Sequence, residues 1–243
     1  MGENRSRRPL EEDILSSHPE RARGQLYGRR KGPRLRGAQA ELLTQLLPAL
    51  RLEPVRARCP RACFAVPVND VWLEVGFGAG EHLYALAQSH TDVGLIGAEP
   101  FVNGVAKLLS KLQGDALSQQ RIRIHMGDAR DILAELPAAS LGRVMVLFPD
   151  PWPKTRHHKR RFLQSAMLDA IASALRKGGQ LRFASDNPDY VAWTLERVLA
   201  HEAFRWPARR AEDWRSRPAD WPQSRYEAKA LCGPPSYFVF ERR

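Results

Sequence analysis

The sequence predicts an α/β protein in which helices cover both faces of a mostly parallel sheet. From Val71 onward, short apolar runs rich in β-branched residues alternate with segments of helical spacing, as in parallel sheets. The composition, 43% hydrophobic and 27% charged, is typical of a globular protein. The length of 243 residues is enough for one large domain with a substantial core, or for two small ones.

Five strand-like runs are each followed by a helix-like segment. The runs are VWLEVG, VGLIGA, RIRIHM, RVMVLF and QLRFAS, and the segments are HLYALAQS, FVNGVAKLLSKL, ARDILAEL, FLQSAMLDAIASALRK and DYVAWTLERVLA. A sixth run, SYFVFERR, adds a strand at the carboxyl end. Before the first strand, AQAELLTQLLPAL has the Leu spacing of a helix, which we expect to end near Pro48.

Residues 1–37 differ from the rest of the chain. They contain ten Lys or Arg and three Pro with little apolar periodicity, so we expect a flexible basic arm followed by a single domain over 38–243. Within the arm, LYGRRKGPRLR mixes glycines, one aromatic and basic side chains. Such a segment is suited to lie along a phosphate backbone, and an untethered tail explains it equally well.

The charge favours a polyanionic partner. The formal net charge is +11, from 38 Lys and Arg against 27 Asp and Glu, which favours nucleic acid over a general solubility effect. Three cysteines, Cys59, Cys63 and Cys232, form no four-ligand set, so we expect no zinc site and a reducing compartment. The amino terminus lacks the apolar core of a signal peptide, and no run is long enough for a membrane span, so we expect a cytoplasmic protein.

A glycine-rich turn follows the first predicted strand. Glu74 leads Gly76, Gly78 and Gly80, and glycines at alternate positions let the backbone turn sharply and approach a ligand closely. A dinucleotide fingerprint needs its third glycine one place later, where this chain has Glu81. The spacing is therefore typical of S-adenosylmethionine enzymes rather than NAD enzymes, although a tight turn alone explains the glycines about as well.

Acids end the next two predicted strands. Glu99 follows the second strand, at a position where a carboxylate can accept hydrogen bonds from both ribose hydroxyls, and Asp128 follows the third, where a short acid can meet an adenine amino group. Each acid alone is more often a helix cap. Together with Glu74, they favour a cofactor site at the carboxyl edge of the sheet.

The fourth predicted strand leads into FPDPWPKTRHHKRRF, from Phe148 to Phe162. Asp150 lies between two prolines and is followed by Trp152 and a dense run of Lys, Arg and His. A solvated basic face explains the charge but not the acid at its start.

By these motifs the sequence resembles the tRNA (guanine-N7)-methyltransferase family, which methylates guanine 46 in the variable loop of tRNA. The resemblance runs from about Leu26 to the carboxyl terminus. The matching residues are Glu74, Gly76, Gly78, Gly80, Glu99, Asp128, the stretch 148–154, Arg156, His157, Lys159, Arg160, Arg161, Ser185, Asp186 and the segment 224–227. It implies a Rossmann-like class I S-adenosylmethionine-dependent methyltransferase fold with a mostly parallel seven-stranded sheet.

The resemblance also implies roles for these residues. Asp150 looks like the catalytic residue, and a metal is not expected. The implied sets are, for the cofactor S-adenosyl-L-methionine, Glu74, Gly76, Gly78, Gly80, Glu99, Asp128 and Asp150; for the substrate, Lys154, Asp186, Ser224, Arg225, Tyr226 and Glu227; and for the tRNA backbone, Arg156, Lys159, Arg160 and Arg161. The family usually has Thr where this chain has Ser224, which keeps the hydroxyl and loosens its positioning.

Partners follow from the same resemblance. We expect tRNA as the partner, no membrane, no obligate protein subunit and a monomer or homodimer, with S-adenosyl-L-homocysteine as a product. The open alternatives are methylation of another RNA base position, a non-catalytic tRNA-binding protein and an NAD-linked enzyme. Asn187-Pro188-Asp189-Tyr190 superficially resembles the motif of amino-group methyltransferases, but it follows the fifth strand and lacks the second proline, so we interpret it as a helix start.

Overall fold

A seven-stranded sheet forms the centre of the part of the chain that the structure describes. The structure is a computed structural model and describes residues 30–222, Glu227 and residues 232–243. The strands are β1 (Asp70–Val75), β2 (Val93–Ala98), β3 (Ile122–His125), β4 (Leu141–Leu147), β5 (Leu175–Ser185), β6 (Phe204–Arg205) and β7 (Ser236–Arg242). Their order across the sheet is β3-β2-β1-β4-β5-β7-β6. β7 runs antiparallel to both of its neighbours, β5 and β6, and the other neighbouring pairs are parallel.

Helices connect the strands. They are α1 (Gly37–Gln45), α2 (Leu47–Leu50), α3 (Glu81–Ser89), α4 (Val102–Leu112), α5 (Ala116–Arg121), α6 (Ala129–Leu133), α7 (Ser165–Ala174), α8 (Pro188–Ala200) and α9 (Glu212–Arg215), with 3-10 turns at Pro54–Arg58, Pro60–Cys63 and Thr155–Arg160. None of the helices in the described ranges is both long and apolar enough to cross a membrane.

The core lies on both faces of the sheet because successive side chains of a strand point to opposite faces. In β1, Leu73 packs in the cluster that also contains residues of α7 and α8, while Trp72 packs with α3 and α4. In β4, Val144 packs in the same cluster as Leu73, and Met145 packs in the same cluster as Trp72. A sheet buried on both faces explains why its strands are nearly continuous apolar runs rather than alternating ones.

The predicted fold class is confirmed, and the differences lie at element boundaries. The helix predicted over residues 162–177 ends at Ala174, because Leu175 already pairs with Leu141 as the start of β5. Pro48 does not end a single helix; α1 ends at Gln45, and Pro48 lies in the first turn of α2, where its missing N–H costs nothing. The sequence patterns did not predict α5 or the two-residue β6. Asn187 caps α8 by accepting a hydrogen bond from the Tyr190 N–H, so the helix start expected there is confirmed.

Candidate active site

A pocket of about 490 Å³ opens at the carboxyl ends of the central strands. In an open α/β sheet, ligands bind at this edge, where connections from neighbouring strands diverge. Here β1 is flanked by β2 and β4, and the loops after these strands and after β3 form the pocket. Its lining consists of Val75, Gly76, Gly78, Ala98, Glu99, Pro100, Phe101, Gly127, Asp128, Ala129, Arg130, Leu147, Phe148, Pro149, Asp150, Trp152, Arg160 and Phe162.

The glycine turn after β1 forms the floor of the pocket. Gly76, Gly78 and Gly80 have φ values of 68°, 59° and 72°, which side-chain-bearing residues rarely adopt. Gly76 and Gly78 line the pocket, while Gly80 faces Leu108 of α4. α4 packs directly against the turn, since a Cβ at Gly104 would lie 2.3 Å from the carbonyl oxygen of Gly78.

Glu99 is a buried carboxylate in the pocket wall after β2. Its Oε2 accepts a hydrogen bond from the Gly78 N–H at 2.7 Å, and its Oε1 accepts one from the Phe101 N–H at 2.9 Å. Burial outweighs these two bonds and, with the nearby charges of Asp150 and Glu74, raises the pKa of Glu99 to about 7. The carboxylate therefore joins the loops after β1 and β2 and keeps acceptor capacity toward the pocket.

Asp128 follows β3 and also lines the pocket. It caps α6 by accepting a hydrogen bond from the Arg130 N–H at 3.0 Å, and its other oxygen pairs with Arg130 Nη1 at 2.7 Å. The cap and the pocket position coexist, because Arg130 itself lines the pocket with its guanidinium over the ring of Phe162.

Glu74 is not among the residues that line the pocket. It is buried at the end of β1, where its Oε2 lies 3.0 Å from Nδ1 of the equally buried His82 on α3. Val75 and Gly76, the next two residues, do reach the pocket. The structure thus brings Glu99, Asp128 and Asp150 together directly, and places Glu74 behind the glycine turn.

The segment after β4 has an unusual backbone. Phe148 and Trp152 have φ values of 48° and 46°, which cost free energy for residues with a side chain. The Phe148 N–H donates to the Ala184 carbonyl at 2.8 Å, which fixes the start of the segment against β5. The backbone reversal at both ends brings Asp150 and Trp152 to the pocket.

Asp150 lies at the mouth of the pocket with its side chain exposed. Protein surrounds the carboxyl on several sides, and the lost hydration raises its pKa above the ordinary value. Within the described ranges, no hydrogen bond or ion pair to Asp150 is present. Glu99 and Asp128 both accept hydrogen bonds from backbone amides, so among these three pocket acids Asp150 keeps its full acceptor capacity for a ligand.

The basic run after Asp150 divides into exposed residues and one buried residue. Lys154, Arg156 and Lys159 are exposed, and Arg160 is half-buried with its guanidinium 4.9 Å from the ring centre of Trp152. Arg161 is fully buried. Its side chain pairs with Asp189, and its Nε donates to the Pro151 carbonyl at 2.9 Å.

The predicted tRNA-backbone contact of Arg161 therefore does not fit its position. Its guanidinium also lies 4.8 Å and 5.3 Å from the ring centres of Tyr190 and Trp193. The side chain fixes the motif onto α8, and reaching a tRNA phosphate would require these contacts to break.

Two of the predicted substrate positions, Asp186 and Glu227, have hydrogen-bond partners in the described part of the chain. Asp186 follows β5, the neighbour of β4, and its Oδ2 accepts a hydrogen bond from the Cys232 N–H at 3.0 Å. Glu227 accepts a hydrogen bond from the Tyr237 hydroxyl at 2.6 Å and pairs with Arg217 at 3.0 Å. Ser224, Arg225 and Tyr226 lie outside the described residues.

Several pocket residues were not among those predicted from the sequence. Phe101 and Arg130 follow Glu99 and Asp128 by two residues, so a wider window after each strand would have found them. Trp152 was noted but given no role. Phe162 and the buried partner His82 had no sequence pattern pointing to them.

The strand order, the glycine turn and the acids at successive strand ends define a Rossmann-like fold of the S-adenosylmethionine-dependent methyltransferase class. Two solved structures share this fold at low sequence identity. The 16S rRNA (adenine(1408)-N(1))-methyltransferase from Catenulisporales acidiphilia matches with a TM-score of 0.51 and 13% identity, over 79% of this chain and 94% of that one. A 16S rRNA methyltransferase matches with a TM-score of 0.50 and 15% identity, over 72% and 89%.

Sequence relatives define the family more narrowly. A family model described as "Putative methyltransferase" matches residues 68–232. The tRNA (guanine-N(7)-)-methyltransferase of Rhodospirillum rubrum is 52% identical over 89% of this chain and 87% of its own. That of Azorhizobium caulinodans is 47% identical over 90% of this chain and 96% of its own. The chain belongs to the tRNA (guanine-N(7)-)-methyltransferase family, and the resemblance drawn from its motifs is confirmed.

Proposed function

We propose that this protein transfers the methyl group of S-adenosylmethionine to N7 of guanine 46 in the variable loop of tRNA. The observation that carries the site assignment is the position of Asp150, which lies at the pocket mouth and is followed by the basic run Lys154–Arg160, in which Lys154, Arg156 and Lys159 are exposed. The family membership supports the reaction, since the curated relatives carry the name of this activity. The pocket supports the presence of both a nucleoside-bearing donor and a base.

The pocket residues fit S-adenosylmethionine. Its volume of about 490 Å³ lies within the range of small-molecule sites, and the Gly76 position leaves open space where a Cβ would stand. When bound, the donor supplies a methyl group on a sulfonium centre, which is open to attack by a nitrogen lone pair. Glu99 holds the ribose hydroxyls with the acceptor capacity that its two backbone bonds leave over. Asp128 is placed for the adenine edge, and Gly76 and Gly78 allow close approach of the ligand.

Glu74 has a less direct role in this proposal. Its carboxylate is bonded to His82 in the structure, so contact with the methionine part of the donor requires the second oxygen or a shift of the pair. The pair also fixes the end of β1 against α3. We therefore assign Glu74 two roles: it holds the glycine turn in place, and it contacts the donor.

Guanine N7 needs no general base, because it carries an exposed lone pair and no proton. Catalysis is then chiefly a matter of alignment, which is worth several kcal/mol in enzymes generally. Asp150 accepts the N1 and N2 hydrogens of guanine at the edge of the base away from N7. This orientation directs N7 toward the donor, and the carboxylate also stabilises the positive charge that methylation leaves on the purine.

The surrounding residues bind the rest of the RNA. Lys154 lies in the same segment as Asp150, and Asp186 follows β5, the neighbour of β4. We assign both to the substrate together with Ser224, Arg225, Tyr226 and Glu227. Arg156, Lys159 and Arg160 are assigned to tRNA phosphates. Recognition is then mostly of RNA shape and backbone, with one base extruded into the pocket.

The test uses labelled S-adenosylmethionine and two tRNA transcripts that differ only at the variable-loop guanine. Borohydride reduction and aniline cleavage then locate 7-methylguanine. We expect label and cleavage at that guanine alone. Label without cleavage would mean that another atom is methylated, and tRNA binding without label would favour a non-catalytic binding protein.

The role of Asp150 is tested in the same assay with Asp150→Asn. This variant keeps the shape of the side chain but cannot accept both guanine hydrogens, so we expect kcat to fall by roughly 100-fold. Asp92→Asn is the matched control, since Asp92 is an exposed acid at the opposite end of the sheet. Equilibrium binding of S-adenosylhomocysteine separates a lost donor site from lost alignment. Unchanged kcat in Asp150→Asn would remove Asp150 from the catalytic role.

A further inference from the structure

The segment 30–36, RKGPRLR, lies against the amino end of α4 beside the pocket. It belongs to the arm that the sequence predicted to be flexible. Arg30, Lys31, Arg34 and Arg36 are all exposed, and the segment contains no acidic residue. Four cations within seven residues therefore face solvent next to the candidate active site.

Asn103 holds this segment with both ends of its side-chain amide. Its Oδ1 accepts a hydrogen bond from the Gly32 N–H at 2.8 Å, and its Nδ2 donates to the Pro33 carbonyl at 2.8 Å. A third bond joins the backbones, since the Val102 N–H donates to the Arg30 carbonyl at 3.1 Å. Three bonds to consecutive parts of the segment fix its path more firmly than one contact would.

The fit at Gly32 is close. A Cβ at this position would lie 2.7 Å from Asn103 Oδ1 and 2.8 Å from Cζ of Phe101. Both distances are shorter than ordinary van der Waals contact, so a larger residue would push the segment away from α4. The packing continues at Leu35, which contacts the core cluster formed with α3 and α4.

The anchored segment lies on one side of the pocket, and the Lys154–Arg160 run lies on the other. Phe101 and Pro100, which follow β2, line the pocket, as do Trp152 and Arg160, which follow β4. Because β1 lies between β2 and β4, the two basic segments flank the glycine turn. A phosphate backbone that delivered a base to Asp150 would therefore pass between two groups of cations.

We propose that Asn103 is a positioning residue that fixes residues 30–36 so that their cations bind tRNA phosphates on the β2 side of the pocket. The identity of the RNA rests on the proposed function. The observation behind the proposal is the pair of Asn103 amide bonds to an exposed, wholly basic segment. Asn103 itself contacts neither the donor nor the RNA.

The experiment measures tRNA binding by full-length protein at several salt concentrations with S-adenosylhomocysteine present. Three changes are compared: Asn103→Ala, the double change Lys31→Ala with Arg34→Ala, and all three together. Lys177→Ala is the matched control. Lys177 is an exposed cation near the amino end of β5, whereas the pocket lies at the carboxyl ends of the strands.

We expect Asn103→Ala and the double change each to weaken tRNA binding by about three- to tenfold and to reduce the salt slope by roughly 1 to 2. We expect kcat at saturating tRNA and the affinity for S-adenosylhomocysteine to stay within about twofold, because neither change touches the pocket lining. In the triple variant, Asn103→Ala should add little, since its effect acts through cations already removed.

Three results would overturn the proposal. One is an Asn103→Ala salt slope equal to that of Lys177→Ala. Another is an undiminished effect of Asn103→Ala in the triple variant, and the third is a fall in kcat without a change in tRNA affinity. If Asn103→Ala does not fold, as judged by circular dichroism, the double change alone decides whether this segment binds RNA. Failure of the proposed function is recognised separately, because the wild-type protein would then transfer no label.

Discussion

Glu99 has the most informative electrostatics of any single residue in the site. Its pKa of about 7, raised from an ordinary value of 4.5 by burial, means that the group titrates near neutral pH. Only the ionised form accepts hydrogen bonds from both ribose hydroxyls while keeping its bonds to Gly78 and Phe101. We expect the affinity for S-adenosylhomocysteine to fall roughly tenfold between about pH 8 and about pH 6, as measured by calorimetry.

The control for this prediction is Glu99→Gln. It should bind the ligand more weakly and lose the pH dependence in this range. The same titration affects the stability of the wild-type protein. Between about pH 4.5 and about pH 7 the folded protein holds a proton on Glu99 that the unfolded chain has released, so the free energy of unfolding falls as pH rises through this range. Gln removes that loss. A wild-type affinity that is flat across this range would contradict the assignment of Glu99 to the ribose.

At the scale of single residues, the sequence alone located the pocket acids, because the end of each strand of a parallel sheet can be recognised from its apolar run. Glu99, Asp128 and Asp150 each follow an apolar run, and all three line the pocket. It could not show that Glu74 pairs with His82, because that contact depends on how α3 packs over β1. Nor could it show which of five neighbouring cations is buried.

At the scale of elements, the basic segment after β4 combines two functions. The 3-10 turn Thr155–Arg160 presents Arg156 and Lys159 to solvent, and Arg161 at its end turns inward toward α8. A sequence of like charges carries no hydrophobic period that would reveal this difference. The two kinds of cation should therefore be separable by experiment.

We expect Arg161→Ala to lower the free energy of unfolding by roughly 3 kcal/mol, because a buried cation loses its ion pair, its bond to Pro151 and its packing on Tyr190. Urea unfolding followed by circular dichroism measures the change. Lys159→Ala should have little effect on the free energy of unfolding, but it should reduce the salt slope of tRNA binding. Equal stability of the two variants would contradict the structural role of Arg161.

Element boundaries were harder to predict than element types. The chain turns from α7 into β5 without a loop, since Ala174 ends the helix and Leu175 begins the strand. Helical spacing continues through Lys177 in the sequence, and only pairing of Leu175 with Leu141 decides against a longer helix. Likewise β6 has two residues, and its existence depends entirely on β7 beside it.

At the scale of the whole molecule, the carboxyl-terminal part returns to the site that the first half builds. β7 pairs with β5, and the segment before it carries Trp221, which is 2% exposed. Trp221 packs with Ala184 and Tyr237, and Leu147 and Phe148 of the active-site strand and loop contact this cluster. Its ring also lies 6.5 Å from that of His82, the partner of Glu74.

Trp221 therefore joins three parts of the chain that are far apart in sequence, and its loss should affect all of them. The carbonyl of Trp221 accepts a hydrogen bond from Arg217, and Asp220 pairs with Arg182 beneath it at 2.6 Å. These polar contacts set the path of the segment, and the indole supplies its buried apolar area. We expect Trp221→Ala to lower the free energy of unfolding by about 3–5 kcal/mol, and Trp221→Phe by less.

Trp214→Ala is the matched control for Trp221→Ala in urea unfolding. Trp214 stacks on Phe238 with ring centres 6.0 Å apart but is only half-buried, so its removal leaves a smaller cavity and should cost less. Because Phe148 rests on the Trp221 cluster, Trp221→Ala should also lower kcat for methylation under conditions where the variant is folded, whereas Trp214→Ala should not. If both variants lost the same stability and kept full kcat, the carboxyl-terminal segment would be a cover for the sheet and not a support for the active-site loop.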